Sequence, residues 1–146
     1  MNNISNENAI FSLLEIYPMC QKIILNSIDI KHSNFTKTQL FILFALMANP
    51  SLNMSQIAAY IASSHEQATR AVAPLVKLGY VERFCDESNR KLVLIRLTAE
   101  GRNFISLEKE QFKRNLINRL DMLTNEEKEE FANATYTTLK VLKKLE

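Results

Sequence analysis

The side chains with the most chemical reach fall in two short runs, Ser64-His65-Glu66-Gln67 with Arg70, and Asn89-Arg90-Lys91. Hydroxyl, imidazole, carboxamide and guanidinium groups are the donors and acceptors that read base edges, while guanidinium and ammonium groups hold phosphates. No Gly-rich phosphate loop accompanies them, and no local Ser/His/Asp or Cys/His arrangement, so catalysis has little to stand on. His32 and His65 fall in different segments, with no Cys or carboxylate pair nearby at ligand spacing. Neither a metal nor another cofactor is expected. The pattern points to recognition rather than catalysis, with a nucleic acid or a protein as the partner.

The elements that must position these groups follow from the pattern around them. Ser64 and Gln67 have capping-box spacing, which opens a helix. Ala68, Ala71, Val72, Leu75 and Leu78 then recur at helical spacing, and Gly79 supplies a stop. His65, Glu66, Gln67, Thr69 and Arg70 are left facing away from that apolar stripe. Tyr80 to Cys85 alternates, Asp86 to Arg90 has turn chemistry, and Lys91 to Leu97 alternates again with Val93, Ile95 and Leu97 on one face. Charge is placed accordingly. Residues 1–62 carry three Lys against three Asp/Glu, and residues 99–146 carry nine Lys/Arg against nine Asp/Glu, so both regions cancel. Residues 63–98 hold six Lys/Arg against four Asp/Glu, which is the whole formal +2. A polar-tipped helix followed by a basic hairpin is the pattern of a winged helix.

Several runs together resemble the MarR family of bacterial winged helix-turn-helix regulators. They are Thr-Lys-Thr-Gln-Leu-Phe (36–41), Met-Ser-Gln-Ile-Ala (54–58), Ala-Thr-Arg-Ala-Val (68–72), Leu-Gly-Tyr-Val-Glu-Arg (78–83), Asp86 with Asn89-Arg90-Lys91, and Leu-Thr-Ala-Glu-Gly-Arg (97–102). Their order and spacing carry the likeness. Two departures stand out: the family usually has Asp where this chain has Asn89, and Pro74 lies inside the recognition helix. The resemblance implies a mainly α fold with a small β-wing, a winged helix-turn-helix over 36–98, and helical dimerisation segments at 1–35 and 99–146 within one domain. It also implies a homodimer on pseudo-palindromic double-stranded DNA, with Ser64, His65, Gln67, Ala68 and Arg70 toward the major groove and Arg90 and Lys91 on the wing. A small aromatic or anionic effector would relieve repression. The rival readings are a winged-helix protein-interaction module and a regulator that senses oxidants through Cys20 or, less readily, Cys85.

The flanking chain is read in the same way. Ile10, Leu13, Leu14, Tyr17, Ile24 and Ile28 outline a first helix, which Pro18 should kink or break near Tyr17. An effector pocket is expected where this helix, the Thr36 helix and the helix after Thr98 meet, lined by Tyr17, Met19, His32 and Phe44. Thr36 with Gln39, Asn53 with Gln56, and Thr124 with Glu127 are further capping boxes, and Thr98 can cap a long helix to about Arg119. Phe131, Thr135, Thr138, Leu142 and Leu145 give the last helix an apolar seam, which looks like a dimer interface. With 47% hydrophobic residues but only two Gly and three Pro in 146, the chain should be mostly helical and large enough for its own core. The recognition helix should bend at Pro74. No apolar run approaches the ~18 residues of a membrane span, and no basic segment leads into an apolar one at the N-terminus, so a cytoplasmic protein is expected.

Overall fold

Reciprocal side-chain caps decide where three of the helices begin. Thr36 Oγ1 accepts from the Gln39 amide (3.2 Å) while Gln39 Oε1 accepts from the Thr36 amide (2.9 Å). Asn53 with Gln56, and Thr124 with Glu127, do the same. Each box satisfies two backbone donors that a helix start otherwise leaves open. In this computed structural model, residues 6–29 and 34–145 are described. The elements run α1 (Asn6–Ser27), α2 (Lys37–Ala48), β1 (Leu52–Asn53), α3 (Met54–Tyr60), α4 (His65–Lys77), β2 (Val81–Cys85), β3 (Val93–Leu97), α5 (Ala99–Leu120) and α6 (Asn125–Leu142). The fold is mainly helical with a three-stranded antiparallel sheet in the order β1-β3-β2, the winged-helix arrangement expected.

The chain divides into two compact units, Met1–Phe112 and Lys113–Glu146, with the boundary inside α5. In the first unit the core gathers around α2, whose Leu40, Ile42, Leu43, Ala45 and Leu46 are all buried. A helix buried on several faces has to be central, because each fully buried aliphatic side chain contributes about 1.5–3 kcal/mol. Ile57 of α3, Val72 and Leu75 of α4, Val81 and Ile95 of the sheet, and Ile105 of α5 close around it. Buried Gln39 adds a polar tie, its Nε2 donating to the Ala71 carbonyl of α4 at 3.3 Å. In the second unit α6 buries none of its residues, and Phe131, Tyr136, Leu139 and Leu142 are exposed.

Neither internal proline breaks its helix. α1 passes through Pro18, and α4 through Pro74, as single helices. Both prolines are exposed. The carbonyls of Leu14 and Arg70, which lose an amide partner to proline, therefore lie on solvent-facing helix and need no break to be hydrated. The wing has three strands, within the two or three expected, and the place of the third was not evident from the pattern. β1 is two residues long and pairs Leu52 with Ile95 and Asn53 with Leu94.

The turn between α3 and α4 holds Ala62 at a φ of +49°, the left-handed region that L-residues seldom occupy. It places Ser63 and Ser64 to start α4. The turn at the other end of α4 uses Gly79 at a φ of +79°, where glycine has no such strain.

Candidate nucleic-acid interface

α4 presents its polar face because its apolar one is fully used: Ala68, Val72 and Leu75 are buried, whereas His65, Glu66, Gln67 and Arg70 are exposed. Ala68 was expected on the groove-facing set. It is 0% exposed and belongs to the core, so it offers no atom to a ligand. The expected box at Ser64 is only half formed. Ser64 Oγ accepts from the Gln67 amide at 3.2 Å, but the Gln67 carboxamide oxygen accepts instead from the Ser63 hydroxyl. Arg70 pairs with Glu66 one turn earlier, and both side chains are about three-quarters exposed (75% and 73%). Such an i,i+4 pair contributes only ~0.3–0.5 kcal/mol, so it is easily given up, yet it cancels the charge of Arg70.

The wing turn is built by side chains that bond to backbone. Asp86 Oδ1 accepts from the Ser88 amide and hydroxyl, each at 3.0 Å, and Asn89 Oδ1 accepts from the Lys91 amide at 3.2 Å. The Leu92 amide donates to the Asn89 carbonyl (2.9 Å) and the Asp86 amide to the Leu92 carbonyl (3.1 Å). Asn89 therefore holds the turn rather than the neighbouring guanidinium, and Arg90 and Lys91 project exposed from its tip. On the outer face of the hairpin Arg96 Nε pairs with Glu82 at 2.6 Å and its guanidinium lies 4.2 Å from the Phe84 ring centroid.

Between the start of α4 and the sheet lies a groove of about 360 Å³, bordered by Ser55, His65, Thr69, Arg83, Lys91 and Val93 among others. The structure thus brings His65 and Lys91 to one surface. Arg83 and Thr69 share that surface although sequence reading did not choose them. The signal for Arg83 was present: a cation at an inward position of an alternating strand.

Of the expected effector residues, the three that are described do not share one cleft lining. Tyr17 lines a cleft of about 450 Å³ between α1, α2 and α3 with Ile24, Lys37, Phe41, Tyr60 and Ile61, and its hydroxyl accepts from Gln21 Nε2 at 3.2 Å. Met19 is exposed outside that lining, and Phe44 packs toward Phe112 at a ring separation of 6.3 Å. His32 lies outside the described residues. The cleft borders the turn before α4 through Ala62, and α5 takes no part in it. Phe41, Lys37 and Tyr60 are the lining residues sequence reading missed. Cys20 and Cys85 are both exposed. Among the described residues no cluster of His, Cys, Asp or Glu could hold a metal, and no helix is long and apolar enough to cross a membrane.

A smaller cleft places Glu108 of α5 near Asp29, beside Phe35, Tyr80 and Phe104. Burial, and after it the charge of Asp29, push the Glu108 carboxyl above its ordinary range. The folded protein then keeps this proton longer than the unfolded chain does. Its contribution is fully present at low pH and is lost as pH rises through the raised folded value. Glu108→Gln should therefore gain on the native protein in urea midpoint as pH is raised from about 4 to 7, across the carboxylate range. A midpoint difference that does not change with pH would contradict this.

Residues 33–91 match the sequence model of a family described as the MarR family. The uncharacterised HTH-type transcriptional regulator YybA of Bacillus subtilis (strain 168) is 26% identical over 105 residues, which cover 72% of this chain and 70% of that protein. Among solved structures, a mutant of MarR from E. coli superimposes with a TM-score of 0.73 at 22% identity, covering 87% of this chain and 93% of that one. FabT of Streptococcus pneumoniae, solved in complex with DNA, gives 0.68 at 19% identity, covering 97% and 100%. These two likenesses concern the fold.

Proposed function

We propose that this chain, whose residues 33–91 belong to the MarR family of winged-helix transcriptional regulators, is a sequence-specific double-stranded-DNA-binding regulator that works as a homodimer in the cytoplasm. Each subunit sets the start of α4 into a major groove and lays the Arg90–Lys91 wing along the backbone or an adjacent minor groove. The observation that carries this reading is the convergence of exposed groups from α4 and the wing on one carboxylate-free groove. The FabT structure supports it, because a fold of the same shape was solved on DNA. YybA supports it by its designation as an HTH-type transcriptional regulator.

Homodimerisation is favoured by apolar side chains that the folded chain leaves uncovered. On α1, Phe11 is 64% and Leu14 65% exposed, with Ile10, Leu13 and Tyr17 beside them. Soluble monomers seldom leave so much apolar surface in one stretch. Repression relieved by a small aromatic or anionic effector fits the cleft that Tyr17, Phe41 and Lys37 line. A ligand there would touch the turn that aims α4 and could favour a dimer with wrongly spaced recognition helices.

Sequencing DNA fragments retained by the purified protein tests the whole reading. Enrichment of a pseudo-palindrome with half-sites about one helical turn (~10 bp) apart is the expected result. Retention with no enriched sequence, or no retention at all, would overturn it.

A further inference from the structure

The cations of residues 63–98 are not equally placed: two have carboxylate partners, weak ones at an exposed surface, and position relative to the groove sorts the rest. Arg70 is bound to Glu66, and Arg96 is bound to Glu82 while lying against Phe84. Arg83, like Lys77, Arg90 and Lys91, has neither a side-chain hydrogen bond nor an ion pair among the described residues, and of these four Arg83 and Lys91 border the groove. We propose that Arg83, rather than Arg70, is the principal phosphate anchor of the interface, gripping the DNA backbone within the groove it shares with His65 and Lys91. This rests on the DNA-binding reading above and assigns a specific contact within it.

The placement follows from strand geometry. On β2, Val81, Arg83 and Cys85 share one face, and the register sets Arg83 opposite Ile95 of β3. Val81 (2% exposed) and Ile95 (1%) mark that face as the one packed on the core. Arg83 is on the inward row yet exposed, so its side chain leaves the core at the edge where α4 begins. There it borders the groove with Lys91, His65, Thr69 and Ser55. No Asp or Glu lines the groove, although the chain carries 16 of them. Two cations, an imidazole and hydroxyls without a carboxylate make a donor-rich setting for a phosphate. A guanidinium also has the fork geometry to hold phosphate by two hydrogen bonds.

An inward charge on an edge strand has a competing use, since it discourages pairing with another sheet. β2 is such an edge. Anisotropy titrations of a short random-sequence duplex, from about 50 to 200 mM salt, distinguish the two, because phosphate contacts set the salt slope. Arg83→Ala should weaken binding roughly tenfold and lower the log–log slope by about one unit, while Arg83→Lys should keep the slope. If Arg83→Ala is insoluble, Arg83→Gln is read in its place with the same expectation. If the native protein binds and the variant matches it in affinity and slope, the anchor is wrong and the DNA-binding reading stands. If the native protein does not bind duplex DNA, both fall.

Discussion

Gly101→Ala should lower the unfolding free energy of this protein by about 3 kcal/mol, at the upper end of what overpacking costs. Helix propensity alone argues the opposite sign, since replacing glycine by alanine inside a helix usually gains ~0.5–1 kcal/mol. Space decides between them. A Cβ on Gly101 would stand 1.9 Å from the Tyr80 carbonyl oxygen and 2.7 Å from its carbon, and a backbone group cannot turn aside as a flexible side chain can. That carbonyl is also held in place, accepting from the Thr98 amide at 3.1 Å. Thr98 Oγ1 donates to the Gly79 carbonyl at 2.5 Å and accepts from the Gly101 amide at 3.0 Å. The base of the wing and the start of α5 therefore move together or not at all. Urea midpoints at fixed pH would show the loss. A variant within about 0.5 kcal/mol of the native protein would mean that this junction yields freely, against the general behaviour of packed interiors.

Leu14→Glu should leave the fold of a single subunit intact and abolish the proposed dimer. Leu14 is 65% exposed on α1, so a carboxylate there stays hydrated in an isolated subunit. In a two-fold interface each substitution counts twice, and an unpaired charge buried on association costs roughly 3–5 kcal/mol, enough to weaken the dimer by more than 100-fold. Light scattering at micromolar concentration should report a monomer with unchanged far-ultraviolet dichroism. Binding to paired half-sites should fall by a similar factor, while binding to random duplex at low salt survives. A variant still dimeric at that concentration would remove α1 from the interface.

Local chemistry made most of the winged helix readable. Capping boxes at Thr36, Asn53 and Thr124 named helix starts that the structure reproduces, because a cap depends only on residues within one turn. Of the stripe Ala68, Ala71, Val72, Leu75 and Leu78, period alone picked out the three residues that α4 buries, but Leu78 at the helix end is exposed. That same stripe should have excluded Ala68 from the DNA-facing set, where family likeness had placed it. At Pro18 and Pro74 the helices continue unbroken, since proline's cost in a helix depends on whether the freed carbonyl meets solvent, which a sequence does not display. A wing of two or three strands was expected, but β1 could not be placed because two residues carry no alternation. The effector pocket was harder to read, because a cleft is made by long-range packing: of the described residues expected there, Tyr17 lines the cleft between α1, α2 and α3, while Met19 and Phe44 do not. Gly101 entered only as part of the Leu-Thr-Ala-Glu-Gly-Arg run, and its need for glycine comes from Tyr80, a neighbour that local pattern does not show.

Mapping amide chemical shifts while titrating the selected duplex tests most directly which surface reads DNA. The amides of α4 from His65 to Ala73 and of the wing from Asp86 to Val93 should shift first and furthest, and those of α6 should stay in place. Shifts gathered on the α1–α2–α3 cleft or on α6, with α4 and the wing silent, would contradict the assignment of this face to DNA.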